Sequence, residues 1–335
     1  MPASEYENHD VSTSDGKQAA ADSNAKNEIL FVGHDGIEFR DDMTVEEGVY
    51  GAVPFEDYKA INAINNSSLH HAARSQKHFR HYINHRRETE SPALRFGTLA
   101  HAGVLEPERL LEMYVVLPDF TEGIDSPRPK ATKEYKEKVR AFDSKHKGLQ
   151  VITPAEYQQM LGVVEAVHGD QRSRAAFQNG KSEVTLVWSD PILGRLCKAR
   201  PDYVNGGANS LCDLKTTRDA RDFERSIANY GYDRQAAFYL RGAQILGYDL
   251  EEFWFVAVES EPPHGVRTAP LDKETLEDGR KQVEHLLKQV AAADVTGVDV
   301  GYEHPDTFRK PPWSMKFKTA AEPREMRIGG RLVTI

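Results

Sequence analysis

Two acids and a lysine are the residues of this sequence best placed for chemistry: Pro201-Asp202, and then Asp213-Leu214-Lys215 after a short polar stretch. Successive side chains of a strand point to opposite faces, so a strand through Asp213 sets Asp213 and Lys215 on one side and buries Leu214 on the other. The turn-forming run Asn205-Gly206-Gly207-Ala208-Asn209 brings Asp202 back to the same neighbourhood. Two carboxylates and an ammonium at a strand end are costly without compensation, because each charge loses water. A divalent cation supplies that compensation. Asp202, Asp213 and the Leu214 carbonyl are hard oxygen donors of the kind Mg²⁺ or Mn²⁺ takes. Such an ion neutralises phosphate oxygens and yields a nucleophilic water at neutral pH, which phosphodiester hydrolysis requires. Lys215 would position that water or help deprotonate it, and would offset charge in the transition state. The three residues equally fit an ion pair on a solvated strand, and the spacing alone does not choose.

The surrounding elements must hold these groups. After Gly180 the apolar period switches from helical to alternating, which predicts strands over 183–189, 195–204 and 210–216 in one antiparallel meander. Asp190-Pro191-Ile192-Leu193-Gly194 makes its first turn. A helix over 221–246 follows, with an early break near Tyr230-Gly231-Tyr232, and the apolar strand 253–258 adds by a crossover. Gln235 and Tyr239 stand four apart on that helix and share a face. Upstream, Ser91-Pro92 opens a helix whose apolar residues Leu94, Leu99, Val104 and Leu105 run to Pro107, and His101 lies within it. Thr153-Pro154-Ala155-Glu156 is a capping box ahead of another helix. Asn66-Ser67-Ser68-Leu69 predicts a further helix, basic and histidine-rich, to about residue 87. Its Arg74, Lys77, Arg80, Arg86 and Arg87 suit either phosphate contact or a solvated charged face. Short strands are predicted over 29–32 and 36–39, a long loop over 118–133, and an amphipathic helix over 276–290.

Composition narrows the class. Residues 1–27 carry almost no large apolar side chains and predict a disordered leader. The formal charge is −9, yet residues 1–60 hold 14 acids against 4 bases, so the remaining 38 acids and 39 bases make a neutral body that can still carry a basic lining. Two cysteines, Cys197 and Cys212, are too few for a disulfide scaffold or a four-cysteine metal site. With no long apolar run and no signal segment, the sequence predicts a cytoplasmic protein with no membrane association. His70, His71, His78, His81 and His85 are spaced too irregularly for a zinc site. Glu183 is either an exposed strand-end charge or an extra carboxylate near the metal, and Thr216 and Thr217 are candidate phosphate contacts.

Four motifs in order carry a resemblance: Arg200-Pro201-Asp202-Tyr203-Val204, Cys212-Asp213-Leu214-Lys215-Thr216-Thr217, Gln235-Ala236-Ala237-Phe238-Tyr239, and upstream Phe96-Gly97-Thr98-Leu99-Ala100-His101. Together they resemble the nuclease domain of RecE-type exodeoxyribonuclease VIII, in the RecB-like branch of the PD-(D/E)xK superfamily, from about Asn65 to Glu259. The resemblance implies an α/β PD-(D/E)xK nuclease fold, with a central mixed β-sheet flanked by helices and an N-terminal helical extension. It implies His101, Asp202, Asp213 and Leu214 as metal ligands, and Lys215, Asp202, Asp213, Gln235 and Tyr239 as catalytic, with Mg²⁺ as cofactor. The expected domains are the leader 1–27, an exonuclease domain 28–300, and a basic proline-containing tail 301–335. The expected activity is 5′→3′ digestion of linear double-stranded DNA from its ends, leaving 3′ tails for a RecT-like single-strand annealing protein. A homo-oligomeric ring, a tetramer by resemblance, and a bacterial or phage origin complete the expectation. The alternatives are another nuclease of the superfamily, acting on single strands or in repair, and an inactive nuclease fold that binds DNA.

Overall fold

The computed structural model describes residues 34–85, 91–302, 307, 325–328 and 331–334. The chain divides into two compact units, Met1–Val300 and Gly301–Ile335. The first opens with β1 (His34–Asp35), β2 (Gly48–Gly51) and α1 (Phe55–Ala60), followed by α2 (Asn66–Ala72) and α3 (Gln76–Asn84). Ser91 caps α4 (Pro92–Leu105) by accepting from the Leu94 N–H, with Pro92 at the first helical position, where its missing N–H is harmless. Next come α5 (Leu110–Met113), β3 (Tyr114–Val116), α6 (Lys133–Lys145), β4 (Gln150–Ile152), α7 (Pro154–Gly169) and α8 (Gln171–Ala176). The capping box of Thr153 with Glu156 starts α7 as the sequence predicts. The second half of this unit contains β5 (Gly180–Ser182), β6 (Thr185–Asp190), β7 (Arg195–Ala199), β8 (Tyr203–Asn205), β9 (Ser210–Thr217), α9 (Phe223–Tyr230), α10 (Tyr232–Ile245), β10 (Glu252–Glu259), β11 (Val266–Pro270) and α11 (Lys273–Thr296). In the second unit β12 (Glu325–Ile328) pairs antiparallel with β13 (Arg331–Thr334).

The central sheet runs β11-β10-β9-β8-β5 and is mixed: β9 and β10 are parallel, the other pairs antiparallel. The apolar residues of β9 and β10 alternate between two cores. Leu211, Phe253, Phe255 and Ala257 pack against Ala236, Phe238 and Leu240 of α10 and Val283 and Leu287 of α11. Cys212, Leu214, Val256 and Val258 pack on the other face, against Ala100 and Val104 of α4 and Val163 and Val167 of α7. Each large aliphatic so buried contributes about 1.5–3 kcal/mol, so Asp213 and Lys215 sit on a strand pinned from both sides. Both cysteines are buried and unpaired. Among the described residues no helix is long and apolar enough to cross a membrane.

Three expectations need correction. The predicted strand 195–204 is two strands in two sheets: β7 pairs with β6 in a sheet ordered β1-β2-β6-β7, and β8 pairs with β9 in the central one. Pro201 lies between them and has no N–H for a ladder, so the chain changes sheets there and no single meander forms. The predicted helix from 66 is also broken. Asn65, one residue early, caps α2 with Ser68, and Ser75 starts α3 afresh by accepting from the His78 N–H. Residues 36–39 make no strand. The expectations on 1–27, 29–32, Arg86, Arg87 and most of the tail lie outside the described residues.

Helix α11 holds α10 against the sheet through a close backbone approach. A Cβ on Gly279 would lie 2.3 Å from the Asp233 carbonyl oxygen. Helix propensity alone favours Gly→Ala by about 1 kcal/mol, but a backbone atom cannot step aside, and overpacking costs about 1–3 kcal/mol. Gly279→Ala is therefore expected to lower the urea midpoint. A raised midpoint would show that the two helices do not meet this closely.

Candidate active site

Beyond Tyr203, the first residue of β8, the edge of β9 is left without a strand partner, and the site forms on that edge. Asp202, just before β8, substitutes its side chain for the missing strand: its Oδ2 accepts from the Leu214 N–H at 2.7 Å. A residue's N–H and C=O leave a strand on the same side, so the Leu214 carbonyl is directed to the same open edge. His101, from α4, reaches that edge with its Nδ1 3.3 Å from Asp202 Oδ2. A backbone hydrogen bond to Leu214 favours its protonated form, the sign expected when the carbonyl accepts from the ring.

On the α10 side of β9, Asp213 Oδ2 lies 2.5 Å from Lys215 Nζ, and Asp213 Oδ1 accepts from Gln235 Nε2 at 2.7 Å. The Asp213 side chain is 2% exposed and that of Lys215 19%. Nζ also lies 4.7 Å from the centre of the Tyr232 ring, a second favourable contact for a cation. Tyr239 sits one turn beyond Gln235, with a side-chain hydrogen bond to it and its ring edge-on to Phe253. Burial pushes the Tyr239 hydroxyl well above the ordinary tyrosine value, so it stays protonated and serves to hold Gln235.

Glu183 completes the arrangement. Its carboxylate, the His101 ring and Asp202 form a cluster whose ligand atoms all lie within 4.8 Å of one another. Asp213 stands beside this cluster with its oxygens on Gln235 and Lys215. Glu183 and Asp202 occupy the two places where the chain passes between sheets, from β5 to β6 and from β7 to β8, and the Glu183 N–H donates to the Asp202 carbonyl at 2.9 Å. Glu183 has φ +54°, a left-handed conformation uncommon in a non-glycine residue. Its carboxylate is held by Arg200 Nε, and Arg200 is fixed in turn by the Val53 carbonyl at 2.8 Å. The sequence offered Glu183 only as one of two readings, because the bond uniting it with Asp202 spans a sheet crossing that no local pattern reveals.

The electrostatics are those of a site built for a cation. Burial, then Asp213, and further Glu183 push the Asp202 carboxyl well above the ordinary range, against the opposing pull of Lys215. Burial lowers His101 and favours the neutral imidazole that a metal needs. For Lys215, burial acts downward, but Asp213 and Asp202 outweigh it and hold the ammonium above the usual lysine value. One imidazole, two clustered carboxylates and a nearby carbonyl fit a hard divalent ion, which would favour the ionised acids that burial disfavours. Glu183→Gln is expected to weaken Mn²⁺ binding at least about tenfold, read by calorimetric titration. Unchanged affinity would remove Glu183 from the ligand set.

Thr216 and Thr217 end β9 beyond Lys215; Thr217 Oγ1 caps the following turn at Asp219. The histidines of α2 and α3 form no such cluster among the described residues: His71 stacks on Tyr82, and His81 on His85.

Comparison with known proteins bears on the fold. The sequence matches, over residues 65–310, the family described as a PDDEXK-like domain of unknown function (DUF3799). A solved structure of a candidate exonuclease from Eubacterium rectale aligns with TM-score 0.50 at 16% identity, covering 77% of this chain and 93% of that one. A phage-related exonuclease from Haemophilus somnus 129PT aligns with TM-score 0.28 at 14% identity, over 53% of this chain and 92% of that one. No curated protein matches the sequence. The mixed sheet flanked by helices, the Pro201-Asp202 and Asp213-Leu214-Lys215 pairings on one strand edge, and the extent of the family match agree, and the chain belongs to the PDDEXK-like family DUF3799.

Proposed function

We propose that this protein hydrolyses phosphodiester bonds in DNA with a divalent metal ion. The observation that carries the reading is the meeting of His101, Glu183 and Asp202, brought from three parts of the chain, on the strand edge that also bears Asp213 and Lys215. His101, Glu183 and Asp202 would hold the ion, with Asp213 and the Leu214 carbonyl as further oxygen donors. Mg²⁺ or Mn²⁺ bound there supplies Lewis acidity at a phosphate oxygen and a more acidic water. The protein's own groups do the rest. Against the downward pull of burial, Asp213 and Asp202 hold Lys215 above the usual lysine value, and it would serve as a positive charge and N–H donor toward the phosphate. Gln235 holds Asp213 in place, and Tyr239 holds Gln235.

We further infer 5′→3′ digestion of linear double-stranded DNA from its ends, leaving 3′ tails for a RecT-like annealing protein. The support is the order of the RecE-like motifs along the chain. A homo-oligomeric ring, tetrameric by that resemblance, would enclose the duplex and sum the subunits' basic groups despite a formal charge of −9. Such a protein would work in the cytoplasm of a bacterium, encoded by the host or by a phage. The second reading, another PD-(D/E)xK nuclease with different polarity or a single-strand or repair substrate, is favoured by the low identity to the solved exonuclease, because one fold hosts many activities.

Linear duplexes labelled at either the 5′ or 3′ end, and closed circles, incubated with Mg²⁺ or EDTA, separate these readings. Early release of the 5′ label from linear DNA alone is the expected result. Cutting of circles or early 3′ release would favour the second reading, and no Mg²⁺-dependent cleavage at all would leave an inactive DNA-binding fold.

A further inference from the structure

The first turn of α10 serves two places. Tyr232 and Gln235 reach the charged groups of β9, whereas Arg234 turns toward α2 and α11. Its Nη2 lies 3.2 Å from His70 Nδ1 and its Nη1 3.5 Å from Gln282 Oε1. Arginine has only donors, so Nδ1 must accept, and His70 serves as a neutral brace for the guanidinium plane. Burial and Arg234 itself lower His70, in keeping with that neutral state. Arg234 is 6% exposed, its buried Nε has no hydrogen-bond partner, and among the described residues no carboxylate oxygen comes within 4.0 Å of the guanidinium. Burial outweighs the pull of Asp233 on this cation, and a buried charge so weakly matched is destabilising unless something else meets it.

What it meets is an open cavity of about 310 Å³, lined also by His70, Arg74, Asn229 and Gly231. Gly231 has φ +66°, and a Cβ there would lie 2.4 Å from Arg234 Nη2, so a side chain at this position would be strained and would displace the guanidinium. Two acids also line the cavity: Gln282 Nε2 donates to Asp233 Oδ2 and Asp278 Oδ2, each at 2.7 Å, and Asp278 is exposed. Nη1 and Nη2 each carry an N–H beyond those given to Gln282 and His70, and with the Asn229 amide they are donors of the kind a tetrahedral oxyanion takes.

We propose that this cavity binds an internal phosphate of the DNA backbone, separate from the phosphate cleaved beside Lys215, with Arg234 as the principal donor. The inference rests on the nuclease reading for its ligand, and its test needs no cleavage. Wild-type protein and Arg234→Gln are titrated in EDTA with a phosphorothioate duplex, with or without 5′-phosphates, by fluorescence anisotropy across salt concentrations. Inorganic phosphate is titrated in parallel by ³¹P NMR line broadening. The variant is expected to bind both duplexes about tenfold more weakly, with a salt slope smaller by about one, and to lose the broadening. Its urea midpoint should stay level or rise, because a mismatched buried charge has gone, whereas a purely structural arginine would lower it. Arg234→Lys, which keeps the charge without the fork, should fall between.

Unchanged duplex affinity overturns the proposal, and a loss confined to the 5′-phosphorylated duplex overturns the internal-phosphate assignment. If Arg234→Gln does not fold, an absence of broadening in the wild type overturns it as well. A protein that binds DNA through Arg234 but never cleaves refutes only the nuclease reading. One that cleaves and binds with Arg234 dispensable refutes only this inference.

Discussion

Lys215→Ala is expected to reduce DNA cleavage by about 10²–10³-fold or more, while Mn²⁺ and duplex binding change by less than about tenfold. The asymmetry follows from where the ammonium sits. Nζ is 2.5 Å from Asp213 Oδ2 and over the Tyr232 ring, so it is already fixed before any substrate arrives and costs no reorganisation when charge develops on the phosphate. It lies outside the His101, Glu183 and Asp202 cluster, so its loss leaves those metal donors in place. The substitution does strip a nearly buried carboxylate of its cation, leaving Asp213 with Gln235. Lys215→Gln, which keeps a donor, separates a folding defect from a catalytic one and should be as inactive as Lys215→Ala. Cleavage by purified variants under single-turnover conditions is the measurement, and near-normal turnover in either variant would remove Lys215 from the mechanism.

How far the sequence could be read depended on whether each feature was local. The placement of Asp213 and Lys215 opposite Leu214 was legible because strand alternation is local, and the structure puts Leu214 in the α4 and α7 core with its neighbours facing α10. The break at Gly231 was legible too, since a left-handed residue between two tyrosine-flanked segments ends a helix. Pro201 carried a signal that strand periodicity overran. The apolar alternation of 195–204 continues through it, yet the missing N–H sends the chain into another sheet. Glu183 was ambiguous because its value comes from lying beside Asp202 across that crossing. The Arg234 cavity was hidden for the same reason, as its walls come from α2, α9, α10 and α11, which no short window contains.

Asp202→Asn is expected to change stability in opposite directions with and without metal, and this makes it the sharpest test of the site. Asparagine keeps an oxygen that can accept from the Leu214 N–H, so the support for the β9 edge survives. It removes a carboxylate whose folded pKa is raised by burial, Asp213 and Glu183. An acid raised on folding destabilises the native state once the pH exceeds its unfolded value, fully so above its folded one, and the penalty vanishes at lower pH. Without divalent metal, the variant should therefore unfold at a higher urea midpoint than the wild type at neutral pH, with the gap closing as acid protonates the wild-type carboxyl. With metal the order should reverse. A ligand at a hundred times its dissociation constant stabilises by about 2.7 kcal/mol, and the variant, short of one charge among three clustered donors, should lose most of that along with cleavage. Urea unfolding of both proteins in EDTA and in Mn²⁺ reads the crossover directly. If Mn²⁺ stabilises the variant as much as the wild type, Asp202 does not hold the ion, and the strand edge at Leu214 is not the metal site.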